Sequence, residues 1–300
     1  QGQDVKLTID SRIQIYSQNL LKAHKAGSIV VISIKTGQVL CMTSTPNYDA
    51  NKIIQKPNIK YWDSLLENNL SPLTFRAIQG LYAPGSTFKM VVAIAALKHG
   101  VINENSKTFC EGKIEYGERL YHCWKTKGHG SMNVVDGIKE SCDVFFYELA
   151  KKLGIDKISE VALDFGLGQT YDFSLDNQKL GIVPSKKWKK EKIGENWYGG
   201  ETLIAGIGQG FVLANPLQLA IMISIIASDG KQIQPSLVFK DNYNFKINNK
   251  YKKKIKVIKN ALFKVVNEYK GTAFKSRLEN LDFSGKTGTS QVTKISLLER

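Results

Sequence analysis

Three short segments carry residues whose types and spacing suit activation of a serine hydroxyl without histidine: Ser86-Thr87-Phe88-Lys89, Ser141-Cys142-Asp143 and Lys286-Thr287-Gly288-Thr289. A serine hydroxyl is a weak nucleophile until a neighbouring base takes its proton, and a lysine can do this only as a free amine, which burial or nearby positive charge favours. Lys89 follows Ser86 by three residues, so on a helix both side chains share one face. In such a site Ser86 attacks a carbonyl, Lys89 accepts its proton, and Ser141 relays a proton between Lys89 and the leaving amine. Lys286 adds positive charge that holds Lys89 neutral and attracts a substrate carboxylate, assisted by the hydroxyls of Thr287 and Thr289. Gly288 leaves room for a substrate to lie alongside. The backbone N–H groups of Ser86 and Thr289 are candidates for an oxyanion hole, typically worth about 3 kcal/mol per donor.

Each segment taken singly also has a plain structural reading: Ser86 as a helix cap, Ser141 as a hydroxyl on a helix face, Lys286 as a charge at a strand edge. Their order along the chain and the elements around them favour the site. Pro84-Gly85 punctuates the chain just before Ser86, and an unbroken apolar run from Met90 to Leu97 closes at Gly100. A helix apolar on all sides is a buried one, so Ser86 is expected at the N-terminus of a central helix, where unpaired N–H groups favour developing negative charge. Upstream, Asp10 reads as the cap of a helix reaching about His24, and Ser28–Ile34 and Gln38–Ser44 as strands about the turn Lys35-Thr36-Gly37. Residues 47–72 read as loop with short helical pieces. Helices are expected over Asp136–Leu153, Pro216–Ser228 and Val257–Tyr269. Residues 166–200 show little periodicity, residues 242–256 read as an irregular connection, and Phe283–Val292 reads as a strand bearing Lys286-Thr287-Gly288.

The 300 residues suffice for one catalytic domain with a large core, and 42% hydrophobic with 23% charged residues is ordinary for a globular chain. The formal net charge of +15 is not ordinary. It gathers at Lys186, Lys187, Lys189, Lys190 and Lys192 and at Lys252, Lys253, Lys254 and Lys256, read as solvated lysine faces, with attraction to an anionic polymer or membrane surface as the rival. No nucleic acid is expected as a partner, because the aromatic and basic interleaving of such binders is missing. Gly206-Ile207-Gly208-Gln209-Gly210 lacks the spacing of a dinucleotide fingerprint. There is no signal peptide and no apolar run near the roughly 18 residues that span a bilayer.

The three segments together are the signature of penicillin-binding proteins and serine β-lactamases. The chain resembles the transpeptidase domain of class B penicillin-binding proteins, most closely the penicillin-binding protein 2 subfamily of the cell-elongation machinery. The resemblance rests on Leu7-Thr8-Ile9-Asp10, Tyr82-Ala83-Pro84-Gly85 leading into Ser86, Cys123-Trp124 with Gly128-His129-Gly130, Gly206 to Gly210 ahead of Pro216-Leu217-Gln218, and Gly285 leading into Lys286. It implies an α/β (α+β) fold in which helices flank an antiparallel sheet beside a mostly helical lobe, with the site between them. It implies a peptidoglycan D,D-transpeptidase that forms an acyl-enzyme on Ser86 from stem peptides and is acylated there by β-lactams. Asp143, where the wider superfamily often has Asn, is usual for this subfamily and counts among its catalytic residues. The resemblance also implies a periplasmic domain of an inner-membrane-anchored protein, a membrane glycan polymerase and elongation-complex proteins as partners, and two further strands and a helix beyond Arg300. A D,D-carboxypeptidase, a β-lactamase or a non-catalytic β-lactam sensor are the rival readings. No Glu precedes an Asn by four residues, the arrangement that places a deacylating water in class A β-lactamases.

Cys110, Cys123, His129 and Cys142 form a second constellation, since three thiolates and an imidazole are the complement of a closed, tetrahedral structural zinc site. The resemblance supports Zn2+ at these four positions. A Cys110–Cys123 disulfide, free thiols, and His122 as a different ligand remain the alternatives. Cys41, on an apolar strand, reads as core.

Overall fold

The Asp10 carboxylate accepts from the backbone N–H of Arg12 and Ile13 and so caps α1 (Ser11–Leu21), as its position ahead of the apolar stripe predicts. The computed structural model describes residues 2–54, 58–240, 243 and 245–290. Next come β1 (Gly27–Ile32) and β2 (Val39–Thr45), the expected antiparallel hairpin, with Gly27 opposite Thr45 and Ser28 opposite Ser44. Gln14 of α1 bonds both the N–H and the carbonyl of Met42, which docks that helix on β2. The region that follows holds the short α2 (Ala50–Ile54) and α3 (Ile59–Leu66), and then α4 (Arg76–Gln79), while positions 55–57 of the expected loop lie outside the described residues.

A single 3-10 turn, Gly85–Thr87, leads into α5 (Lys89–Lys98), and every residue from Lys89 to Ala96 is buried. Removing side chains such as Met90, Val91 and Ile94 from water stabilises by about 1.5–3 kcal/mol each. Four short strands follow as two antiparallel pairs, β3 (Thr108–Cys110) with β6 (Gly130–Met132) and β4 (Lys113–Tyr116) with β5 (Arg119–His122). The helical body is completed by α6 (Val134–Lys139), α7 (Asp143–Leu153), α8 (Ile155–Asp164), α9 (Lys186–Lys192), α10 (Gly199–Gly206), α11 (Pro216–Ala227) and α12 (Lys252–Asn267). Helices α7, α8 and α12 pack directly on α5, α10 packs on α7, and α11 covers β1. The expected α11 has the strongest local signal: Asn215 and Gln218 cap each other reciprocally, and Pro216 fills the first turn.

Four expectations need correction. The helix read over Asp136–Leu153 is broken into α6 and α7, with Ser141 between them at φ 54°. Gly137 lets the Phe145 ring press against α6, and the Cys142 thiol accepts from Phe145 N to start α7 afresh. Residues 166–200, read as having little periodicity, hold a helix all the same, since Ser185 caps α9. The irregular connection expected over 242–256 ends earlier, since a 3-10 turn covers Asn249–Tyr251 and α12 begins at Lys252, while positions 242 and 244 lie outside the described residues. Finally, residues 282–290 form no strand: Gly285 N bonds a helix carbonyl, that of Leu262, in place of a ladder partner. Positions 291 and 292 of that expected strand lie outside the described residues. The lysine faces are solvated except at Lys189, which is 1% exposed and paired with Glu195 and Glu201.

Candidate active site

The break between α6 and α7 turns the Ser141 hydroxyl, its carbonyl and the Asp143 carboxylate towards the first residue of α5. Lys89 is 0% exposed, and a buried ammonium is stable only with partners. Its Nζ donates to Ser141 O at 2.9 Å, Ser141 Oγ at 3.1 Å and Asp143 Oδ1 at 2.7 Å. An ammonium has three donors, and all three are used.

From the other side, Lys286 Nζ donates to Ser141 Oγ at 3.0 Å and to Thr287 O at 3.0 Å. The Ser141 hydroxyl therefore lies between two lysine amines, the geometry required of a proton relay. The Lys286 pKa is lowered to about 7, by burial first and by the Lys89 ammonium second, against the opposing pull of Asp143, so the expected influence of Lys286 on Lys89 runs the other way. Four of the five expected catalytic residues, Lys89, Ser141, Asp143 and Lys286, are thus joined by direct hydrogen bonds.

Ser86 stands apart from that network. Its hydroxyl makes no hydrogen bond among the described residues, because the donors of Lys89 are spent on Ser141 and Asp143. It opens instead into a groove of about 2260 Å³, together with Ser141, Asp143, Thr287 and Thr289. Two glycines make the meeting of the first and third segments possible. Gly85, at φ 55°, lies where a Cβ would run into the carbonyl of Thr289, and Gly208, at φ 72°, lies where one would run into the carbonyl of Gly85. Gly85 N also donates to Gly208 O at 2.9 Å, so the segment rejected as a nucleotide loop is part of the site's frame. Gly288 sits against Thr87 and Pro84. The N–H groups of Ser86 and Thr289 are unspent among the described residues, as oxyanion donors must be.

Reasoning from the sequence missed three residues here. Thr272 Oγ1 bonds Thr287 Oγ1 at 2.8 Å, and Gln209 Nε2 donates to Thr289 O at 3.3 Å. The backbone N–H of Trp124 donates to Asp143 Oδ2 at 2.9 Å. Trp124 and Gln209 had a signal, in the Cys123-Trp124 pair and the Gly206–Gly210 segment, and Thr272 had none.

The second constellation also comes together. Cys110 ends β3, Cys123 follows β5, His129 precedes β6 and Cys142 caps α7, and their ligand atoms all lie within 4.8 Å of one another. His129 Nδ1 is 3.6 Å from Cys110 Sγ and 3.4 Å from Cys123 Sγ. Zinc bonds to sulfur and nitrogen at tetrahedral angles give an S···N edge of about 3.5 Å, so the donors are spaced to fit such a cation. His122 is not in the group, all four cysteines of the chain are free thiols, and Cys41 is in the core. The Cys123 pKa is lowered to about 3, chiefly by a hydrogen bond from the Cys142 thiol, whose own pKa the same bond raises.

Comparison with known proteins fits this geometry. The family model described as the penicillin binding protein transpeptidase domain matches residues 27–296. The peptidoglycan D,D-transpeptidase MrdA of Escherichia coli K12 is 34% identical over 305 residues, covering 97% of this chain and 48% of that protein. The chain thus spans about half the length of the curated relatives it matches. Among solved structures, Helicobacter pylori PBP2 in complex with MreC superposes with TM-score 0.91 at 33% identity, over 96% of this chain and 55% of that one. Pseudomonas aeruginosa PBP2 in complex with WCK 5153 gives 0.89 at 35%, over 97% and 68%. With its three segments assembled about one groove and its antiparallel strands and helices matching those structures, the chain belongs to the penicillin-binding protein transpeptidase family, of the MrdA and PBP2 type.

Proposed function

We propose that this domain is a serine D,D-transpeptidase that cross-links peptidoglycan stem peptides in cell elongation and cell shape. The observation that carries the reading is the Ser141 hydroxyl held between Lys89 and Lys286 beside a groove into which Ser86 opens. Ser86 Oγ attacks the carbonyl of the penultimate D-alanine, and the N–H groups of Ser86 and Thr289 stabilise the oxyanion. Lys89 first passes one of its ammonium protons through the Ser141 hydroxyl to the Lys286 amine, and as a free amine it then takes the serine proton. Ser141 then passes a proton to the departing amine of the terminal D-alanine. The amine of a second stem attacks the ester, the new peptide bond forms, and Ser86 recovers its proton. Thr287 and Thr289, with Lys286, bind the substrate carboxylate, and Gly288 leaves the substrate room. A β-lactam acylates the same serine, but its leaving group stays tethered.

The cysteine and histidine cluster would hold a structural Zn2+ through Cys110, Cys123, His129 and Cys142, tying the β3–β6 loop region to the turn that bears Ser141. Four protein ligands leave no position for water, so the metal takes no part in the chemistry. On this reading residues 1–300 belong to the transpeptidase domain. No helix among the described residues is long and apolar enough to cross a membrane, and the reading places this domain in the periplasm. The H. pylori complex with MreC supports an elongation-complex partner. A membrane glycan polymerase would be another.

Two measurements test the reading. Purified stem-peptide donors and acceptors should give cross-linked product, and the penicilloyl-enzyme should persist well beyond seconds; rapid release to water without cross-linking would favour a hydrolase. The second is pH dependence. Lys286 loses its charge as pH rises through about 7, so the affinity for a carboxylate-bearing β-lactam should fall over that range, and Lys286→Gln should flatten the profile. The unfolded chain keeps this proton to roughly pH 10.4, so the contribution of Lys286 to stability grows between those values and is lost as pH falls through the lower one. A profile that Lys286→Gln leaves unchanged would remove the residue from substrate binding.

A further inference from the structure

We infer that Trp124 is a positioning residue, whose indole N–H fixes the Ser141–Asp143 turn for Lys89; the inference rests on the acyl-transfer reading above. Trp124 is 60% exposed, so it is not held by the core. It is held by polar contacts. Its Nε1 donates to the carbonyls of Glu140 and Ser141, each at 3.1 Å, while its backbone N–H donates to Asp143 Oδ2. Its ring meets His129 edge to face, with centroids 5.3 Å apart.

These acceptors are the ones Lys89 uses. Lys89 Nζ shares the Ser141 carbonyl with the indole, and it takes the other oxygen of the Asp143 carboxylate. Trp124 and Lys89 therefore grip the same carbonyl and the same carboxyl group. The turn they grip needs restraint, because Ser141 sits at φ 54°, a left-handed conformation that is unfavourable for a residue with a side chain. Without the indole donor, the Ser141 carbonyl keeps only Lys89 among the described residues, and the turn is free to relax towards ordinary backbone angles. The Ser141 hydroxyl would then leave its place between Lys89 and Lys286. The backbone N–H to Asp143 is available from any residue other than proline, so the side chain's share can be measured separately.

The test uses the full-length protein carrying Trp124→Phe, which keeps an aromatic ring and removes the N–H. Acylation by a fluorescent penicillin should slow about ten-fold, the size of one well-placed hydrogen bond, while melting temperature and metal content stay near wild type. A structural role would not predict the next result: on a Ser141→Ala background the same substitution should cost less than about two-fold, because Trp124 acts through Ser141. Unchanged acylation in Trp124→Phe, or equal losses on both backgrounds, would overturn the inference. If the Phe variant melts early or loses metal, benzothienylalanine at position 124, an indole isostere with sulfur for N–H, replaces it with the same expected and contrary results. Wild-type protein that fails to label at Ser86 would sink the acyl-transfer reading itself, whereas normal labelling with no effect of the substitution sinks only the inference about Trp124.

Discussion

Lys89→Met is expected to slow acylation by a factor of about 10² to 10⁴, the usual worth of a positioned general base, with little change in groove shape. It should also destabilise the fold. Met replaces the buried stem of Lys89 but not its charge, so the Asp143 carboxylate, which is 14% exposed, keeps only the Trp124 N–H among the described residues. Breaking one side of a buried ion pair typically costs about 3–5 kcal/mol. The two effects can be separated. Adding Asp143→Asn to Lys89→Met removes the stranded charge and should recover much of the stability, measured by urea unfolding, while acylation stays low. If the single variant acylates at the wild-type rate, the proton taken from Ser86 goes elsewhere, and Lys286, beyond the Ser141 hydroxyl, becomes the first place to look.

The second large effect concerns the four-ligand cluster. Cys142→Ser keeps an oxygen able to cap α7 at the position where the thiol now accepts from Phe145 N, but it removes a soft ligand. If the cluster holds the proposed Zn2+, this variant should lose it in native mass spectrometry, with a fall in melting temperature of about 10 °C or more, because metal binding energy in such sites is folding energy. Acylation should fall with it, since Ser141 immediately precedes the altered ligand. A strong chelator should act in the same way on the wild-type protein. A mass two protons light and free of metal would instead establish a disulfide.

Much of this arrangement is legible in the sequence because it is encoded locally. The unbroken apolar run after Ser86 can only be a buried helix, and Asp10 and Asn215 announce their helices by capping. The four cluster ligands are readable as a donor set, although only folding shows that β3 and β6 bring Cys110 and His129 together. The break at Ser141 is not legible, because the residues on both sides keep helical spacing and the interruption is imposed by Phe145 packing on Gly137. Lys189 is indistinguishable from its neighbours until Glu195 and Glu201 arrive from later in the chain. The same holds for Gln209, whose partner Thr289 lies 80 residues away. The missing strand at residues 282–290 has a physical cause as well, for β-compatible residues make a strand only beside a ladder partner, and here the backbone neighbour is α12.

The central claim is that Ser86 is the nucleophile, and intact-mass measurement after exposure to penicillin tests it most directly. The wild-type protein should gain the mass of one penicilloyl group, lasting over minutes, and Ser86→Ala should gain none while keeping its fold. An adduct of the same mass on Ser86→Ala would contradict the assignment.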